Sequence, residues 1–140
     1  MKSAAARYRL GLCGLRPTTD TAFGVNMSLS ILLRCFDIEQ TRNFYESVLG
    51  FSTASTADST ITVSKYGARL IFTDRDLWRT NPIFSGTIYL AVADVDRYFS
   101  VIKDKTSVAW PLQDMPYGSR EFAVTDCNGY LIAFQQASGE

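Results

Sequence analysis

The sequence predicts an α+β protein of two βαβββ modules, curled into a cupped mixed sheet with the helices outside. Three observations predict it. At 140 residues, with 46% hydrophobic and 13% aromatic side chains, the chain can bury one core and suits one domain. The succession of strand, Asp cap, amphipathic helix and further strands occurs twice from Met27 onward. Finally, "GARLIF" at 67–72 is echoed by "GYLIAF" at 129–134, so the two halves end on similar strands.

The first strand lies in "MSLSILLRCF", a β-rich run. Asp37 then caps a helix, with Gln40 three residues on in a capping-box variant. The helix is "IEQTRNFYESVL"; Ile38, Thr41, Phe44, Tyr45, Val48 and Leu49 share one face, and Gly50 supplies a left-handed exit. Strands follow near 51–55, 60–66 and 69–73, the last two turned by Gly67. In the second half, "GTIYLAVADVDRYFSVIK" repeats strand, cap and helix, with Asp94 in the place of Asp37. Val95, Tyr98, Phe99 and Ile102 form its buried face, and strands follow near 108–111, 119–125 and 130–136.

Residues 1–26 differ from the rest: they hold Lys2, Arg7, Arg9 and Arg16 against Asp20 and show no sustained period. Their Arg-rich, acid-poor composition resembles that of an organelle transit peptide, whereas the apolar segment of a secretory signal is missing. We read them as an N-terminal extension ahead of a start at Met27, and residues 27–140 as a single domain with modules 27–80 and 86–136. Those residues carry ten basic and thirteen acidic side chains, so no basic stripe meets a nucleic-acid backbone. The longest apolar runs, such as Ile88 to Ala93, are too short to span a bilayer as a helix. Cys13, Cys35 and Cys127 form no close pair, which argues against a disulfide framework and for a reducing, cytoplasmic setting. With no histidine in the chain, Ser-His-Asp and Cys-His catalysis are excluded.

Two segments carry a family resemblance. "DIEQTRNFYESVLGF" is similar to the Asp, helix, Phe-Tyr, Leu-Gly-Phe signature of the vicinal oxygen chelate superfamily. "YGSREFAVTDCNGYLIAF" is similar to that superfamily's Arg-Glu-Phe, Asp-x-x-Gly hairpin. The superfamily groups glyoxalase I, extradiol dioxygenases, fosfomycin-resistance transferases and bleomycin-resistance proteins, and the resemblance covers residues 27–136. It implies His or Glu metal ligands on the inward faces of equivalent strands. Here those positions fall on Ser30, Thr87 and Ala133, and the stretch Leu70 to Phe72 offers no acid. Neutral hydroxyls and a methyl cannot hold zinc, iron or manganese, so the expectation is no metal, no cofactor and no catalytic residue.

The hairpin motif most resembles the bleomycin-resistance branch, although Ser119 stands between its glycine and arginine. That resemblance implies a homodimer with strands exchanged between subunits and a cationic drug held in grooves between them. Tyr117 takes the place of the aromatic that stacks on the drug. We name Tyr117, Trp110, Trp78 and Glu121 as candidate ligand-binding residues. Aromatics bring large area at little rotamer entropy, and each can equally serve as packing. Trp78 lies in the charged connector "TDRDLWRTNP", as a groove wall or a cover for the sheet edge. Arg120 and Glu121 alternate on a strand and face opposite ways; an inward Glu121 could bind a cation, act as a base, or form a cross-strand ion pair. "DCNG" at 126–129 is turn chemistry. The expected function is metal-free sequestration of a small planar molecule such as a bleomycin-type antibiotic. The rival readings are a diverged glyoxalase- or dioxygenase-like enzyme with a carboxylate base, and an interaction module whose cavity is filled by its own side chains.

Overall fold

A computed structural model describes residues 27–139. The first module comprises β1 (Ile31–Arg34), α1 (Ile38–Asn43, continued by a π-helical turn over Phe44–Val48), β2 (Ser52–Ala57), β3 (Thr60–Lys65) and β4 (Ala68–Thr73). The second comprises β5 (Thr87–Val92), α2 (Val95–Ile102), β6 (Ser107–Asp114), β7 (Arg120–Thr125) and β8 (Leu131–Gln136). Each module forms a four-stranded sheet, ordered β1-β4-β3-β2 and β5-β8-β7-β6, with its first strand parallel to its last and the other pairs antiparallel. The predicted repeat is therefore present as two mixed sheets of the same connectivity.

Both helices begin as the caps dictate. The Asp37 carboxylate accepts from the Gln40 amide at 2.7 Å, and that of Asp94 accepts from the Arg97 amide at 3.0 Å. The sequence predicted an unbroken first helix; instead it widens after Asn43, and the Leu49 amide donates to the carbonyl of Phe44 five residues back. Thr41, Tyr45 and Leu49 are all fully buried on this widened face. Gly50 supplies the expected exit at φ +70°.

The helix-facing sides of the two sheets merge into one core. In the second module Phe122 stacks on Phe134 at 5.2 Å, and Tyr98 of α2 meets Phe134 edge-on at 4.8 Å. In the first, Tyr45 packs on Phe72 at 5.1 Å, and Phe72 reaches across to Tyr130 of the second module at 6.3 Å. Beyond this apolar contact, a polar joint centres on the β7–β8 turn. The carboxylate of Asp126 accepts from the Tyr45 hydroxyl at 2.8 Å and from the amides of Asn128 and Tyr130 at 2.9 and 2.8 Å. Asn128 in turn accepts from the Phe36 amide and donates to Thr41, while the Tyr130 hydroxyl donates to the Arg34 carbonyl. The "DCNG" segment thus does more than the turn role expected of it: it docks one module on the other. Burial pushes Asp126 above the usual carboxylate range, its hydrogen bonds opposing the rise.

Among the described residues Cys35 and Cys127 are free thiols, whereas Cys13 and the 1–26 extension lie outside them. Burial raises the pKa of Cys35, consistent with a packed rather than a reactive thiol. No helix among the described residues is long and apolar enough to cross a membrane.

Candidate functional site

With α2 on one side of the second sheet, the alternation of strand residues turns another set to the opposite, concave side. The register places Thr87, Tyr89 and Ala91 of β5, Leu131, Ala133 and Gln135 of β8, and Glu121, Ala123 and Thr125 of β7 there. Ala123 and Ala133 pair at its centre and are fully buried, giving a low floor with bulkier side chains around it.

Trp110 reaches this face through an irregular strand. The predicted strand end at Pro111 is overrun: β6 continues to Asp114, with Pro111 accommodated because β6 is a sheet edge. The pairing shifts register between Val108 and Trp110 and again between Trp110 and Gln113. Val108 therefore opposes core-facing Val124, whereas Trp110 opposes Ala123. The indole Nε1 is buried and has no hydrogen-bond partner.

Glu121 is fully buried. Its Oε1 accepts from two phenols, Tyr117 at 2.8 Å and Tyr89 at 3.1 Å, while its Oε2 is buried with no partner. The hydrogen bond to Glu121 pushes the Tyr117 hydroxyl above its usual range. Although that hydroxyl is tethered, Tyr117 as a whole is 68% exposed, so much of its ring is open to contact. The turn that presents it closes through Met115 and Ser119 at 2.7 Å, with Gly118 at φ +85°. Arg120 points the other way, as strand alternation requires, and pairs with Asp96 at 2.7 Å and Asp114 at 3.2 Å.

The structure thus places Glu121 and Trp110 on one face and ties Tyr117 to Glu121. Trp78 lies apart, in the connector, where it lines a groove of about 310 Å³ with Leu32, Ile83 and Phe84 along β1. Arg34 pins that connector by bonding Asp76 and, at 2.5 Å, the Thr80 carbonyl. Sequence reasoning missed Tyr89, the second phenol on Glu121. Its signal was available: in "TIYLAV" it sits between Ile88 and Leu90, which face the core, so it must face the other way.

A metal does not fit this face. Thr87 and Ala133 offer a neutral hydroxyl and a methyl, and Ser30 directly precedes β1. Among the described residues no three His, Cys, Asp or Glu side chains converge, and the one inward carboxylate is already bound by phenols. What remains is an anionic hydrogen-bond acceptor among aromatic rings.

Two helix-backed sheets with one polar-aromatic concave face define a paired-βαβββ protein. The model of the Glyoxalase/Bleomycin resistance protein/Dioxygenase superfamily matches residues 28–134, and the chain belongs to that superfamily. A search of curated proteins found no match. Among solved structures, a protein of unknown function from Agrobacterium tumefaciens superposes with a TM-score of 0.67 at 22% identity, covering 81% of this chain and 97% of its own. TioX from Micromonospora sp. ML1 gives 0.66 at 21% identity, covering 79% and 98%. A glyoxalase/bleomycin resistance protein/dioxygenase from Alicyclobacillus acidocaldarius gives 0.66 at 19%, covering 81% and 93%. At these identities the likeness establishes the fold alone.

Proposed function

We propose that the protein binds and sequesters a small planar organic cation on the concave face of its second sheet, without chemistry. A bleomycin-type antibiotic is the named example. The observation that carries this reading is Glu121: a fully buried carboxylate with one oxygen held by two phenols and the other unpartnered. Leaving a buried charged oxygen without a donor is costly, so a cationic N–H group delivered there is strongly favoured. Trp110 and the open ring of Tyr117 supply faces for a flat guest.

A homodimer is part of the proposal. β1 and β5 each lie at one edge of their sheets, and Leu32 and Tyr89 on them are 42% and 45% exposed. A second copy covering these side chains would wall the concave face. Sedimentation velocity tests it, a monomer at micromolar concentration being the contrary result.

The test of binding is calorimetric titration with bleomycin and a panel of flat aromatic cations. Glu121→Gln keeps an acceptor for both phenols but removes the charge, and should weaken binding about 10- to 100-fold. Tyr117→Ala should cost about tenfold. Heat-silent titrations across the panel, or full affinity in Glu121→Gln, would overturn the reading. The same free oxygen also favours a second reading, a diverged enzyme with Glu121 as proton-transfer base. Turnover of an α-hydroxycarbonyl substrate that disappears in Glu121→Gln would select it.

A further inference from the structure

A cavity of about 650 Å³ opens where the end of α1 meets α2, away from the Glu121 cluster. Its apolar wall includes Val48, Val92, Val101 and Ile102, and its charged lining is unbalanced. Lys65, Arg97 and Lys105 contribute cations. The carboxylate among the lining residues is that of Asp94, which is occupied in capping α2. Among the described residues none of the three cations has a carboxylate within ion-pair distance, whereas Arg34, Arg42 and Arg120 all do.

Lys65 is the most constrained of them. Its ammonium donates to the Leu49 carbonyl at 3.2 Å and lies 4.7 Å from the Tyr98 ring centre and 5.7 Å from that of Tyr66. The Tyr98 hydroxyl donates to the same carbonyl at 2.7 Å, which fixes the ring beneath the ammonium. Partial burial lowers the pKa of Lys65, a desolvation that an anion would offset. Tyr66 (φ +47°) and Gly67 (φ +87°) are the two central residues of the β3–β4 hairpin, which requires positive φ at both, and the turn carries Tyr66 to the rim, where the residue is 90% exposed.

We propose that this groove is a second binding site, for a small amphipathic carboxylate: the anion held by Lys65 with Arg97 and Lys105, the aliphatic or aryl body along Val48, Val92 and Val101. A cavity of this volume lies in the range of small-molecule sites. The ligand is opposite in charge to the guest proposed for the concave face, so the two sites are chemically independent.

The experiment titrates the full chain with sodium decanoate and, as the neutral isostere, decanol, by calorimetry and by amide chemical-shift mapping. Decanoate should bind in preference to decanol and shift the amides of Gly50, Lys65 and Arg97. Lys65→Met and, separately, Arg97→Gln should each weaken decanoate about tenfold, while Glu121→Gln leaves it unchanged. Arg97 is a solvent-facing helix residue, so its variant keeps the test alive if Lys65→Met folds poorly. Equal affinity for decanol, shifts mapping elsewhere, full affinity in both variants, or no binding at millimolar decanoate would each overturn the proposal. None of these outcomes bears on cation binding at Glu121.

Discussion

Replacing Asp126 with alanine should destabilise the whole domain, because it strands three donors at the joint between the modules. Those donors are the fully buried Tyr45 hydroxyl and the amides of Asn128 and Tyr130. At roughly 1–3 kcal/mol per buried unpaired group, the expected loss is about 3–9 kcal/mol. Set against a typical domain stability of about 5–15 kcal/mol, that is a large fraction. Asp126→Asn keeps an acceptor for both amides and should lose only about 1–2 kcal/mol. Urea denaturation followed by far-ultraviolet circular dichroism measures both, and a cycle with Tyr45→Phe isolates the phenol–carboxylate pair. In the Tyr45→Phe background Asp126→Ala should cost less, since one stranded donor is gone. The pH dependence has a defined sign. Burial raises the folded pKa of Asp126, so its contribution is fully present below the ordinary carboxylate value and is lost as pH rises through the folded pKa. The gap between wild type and Asp126→Ala should therefore widen as pH falls from 7 toward that value. A loss below about 1 kcal/mol, no coupling to Tyr45, or a gap that narrows in acid would refute the reasoning.

Other outcomes follow from the same geometry. Gly118→Ala should cost about 1–2 kcal/mol by thermal denaturation through its left-handed φ alone, since no atom lies within 4 Å of the added methyl. At alkaline pH, Tyr130 has its pKa pushed up to about 12 and Cys127 to about 11 by burial. Their stabilising contributions are complete below pH 10 and 9 respectively and fade above those values, and Tyr130→Phe should flatten the alkaline part of a stability profile. Binding of a flat cation should quench Trp110 fluorescence. Trp78→Phe should preserve that signal and Trp110→Phe should abolish it, which steady-state emission of the two variants decides.

The short-range features were legible in the sequence. The Asp37 and Asp94 caps, the Gly50 and Gly129 turns and the buried helix faces depend on residues a few positions apart, and each is where the pattern put it. So was the opposition of Arg120 and Glu121, because a strand alternates until a bulge intervenes, but which of the two turns inward was settled by the packing of the sheet and not by the alternation. Such an interruption is what hid the placement of Trp110: the register shift between Val108 and Trp110 puts it opposite Ala123, and no local residue pattern announces the shift. Trp78 illustrates a different limit. Its connector is charged and turn-rich, but where it lies is set by Arg34 on a strand 46 residues from Thr80, a contact no local spacing encodes. The polar joint was invisible for the same reason, since Asp126 looks like any turn aspartate until Tyr45 is seen beside it.

The separation in sequence of that joint has a consequence for synthesis. Tyr45 and Asp126 stand 81 positions apart, and the Tyr130 hydroxyl bonds a carbonyl 96 positions earlier. On a ribosome, the first βαβββ half can pair all its strands while Tyr45 and Phe72 still lack their cover. That greasy surface waits for the final hairpin to emerge, and a chaperone that shields it during the wait would raise the yield of folded chains.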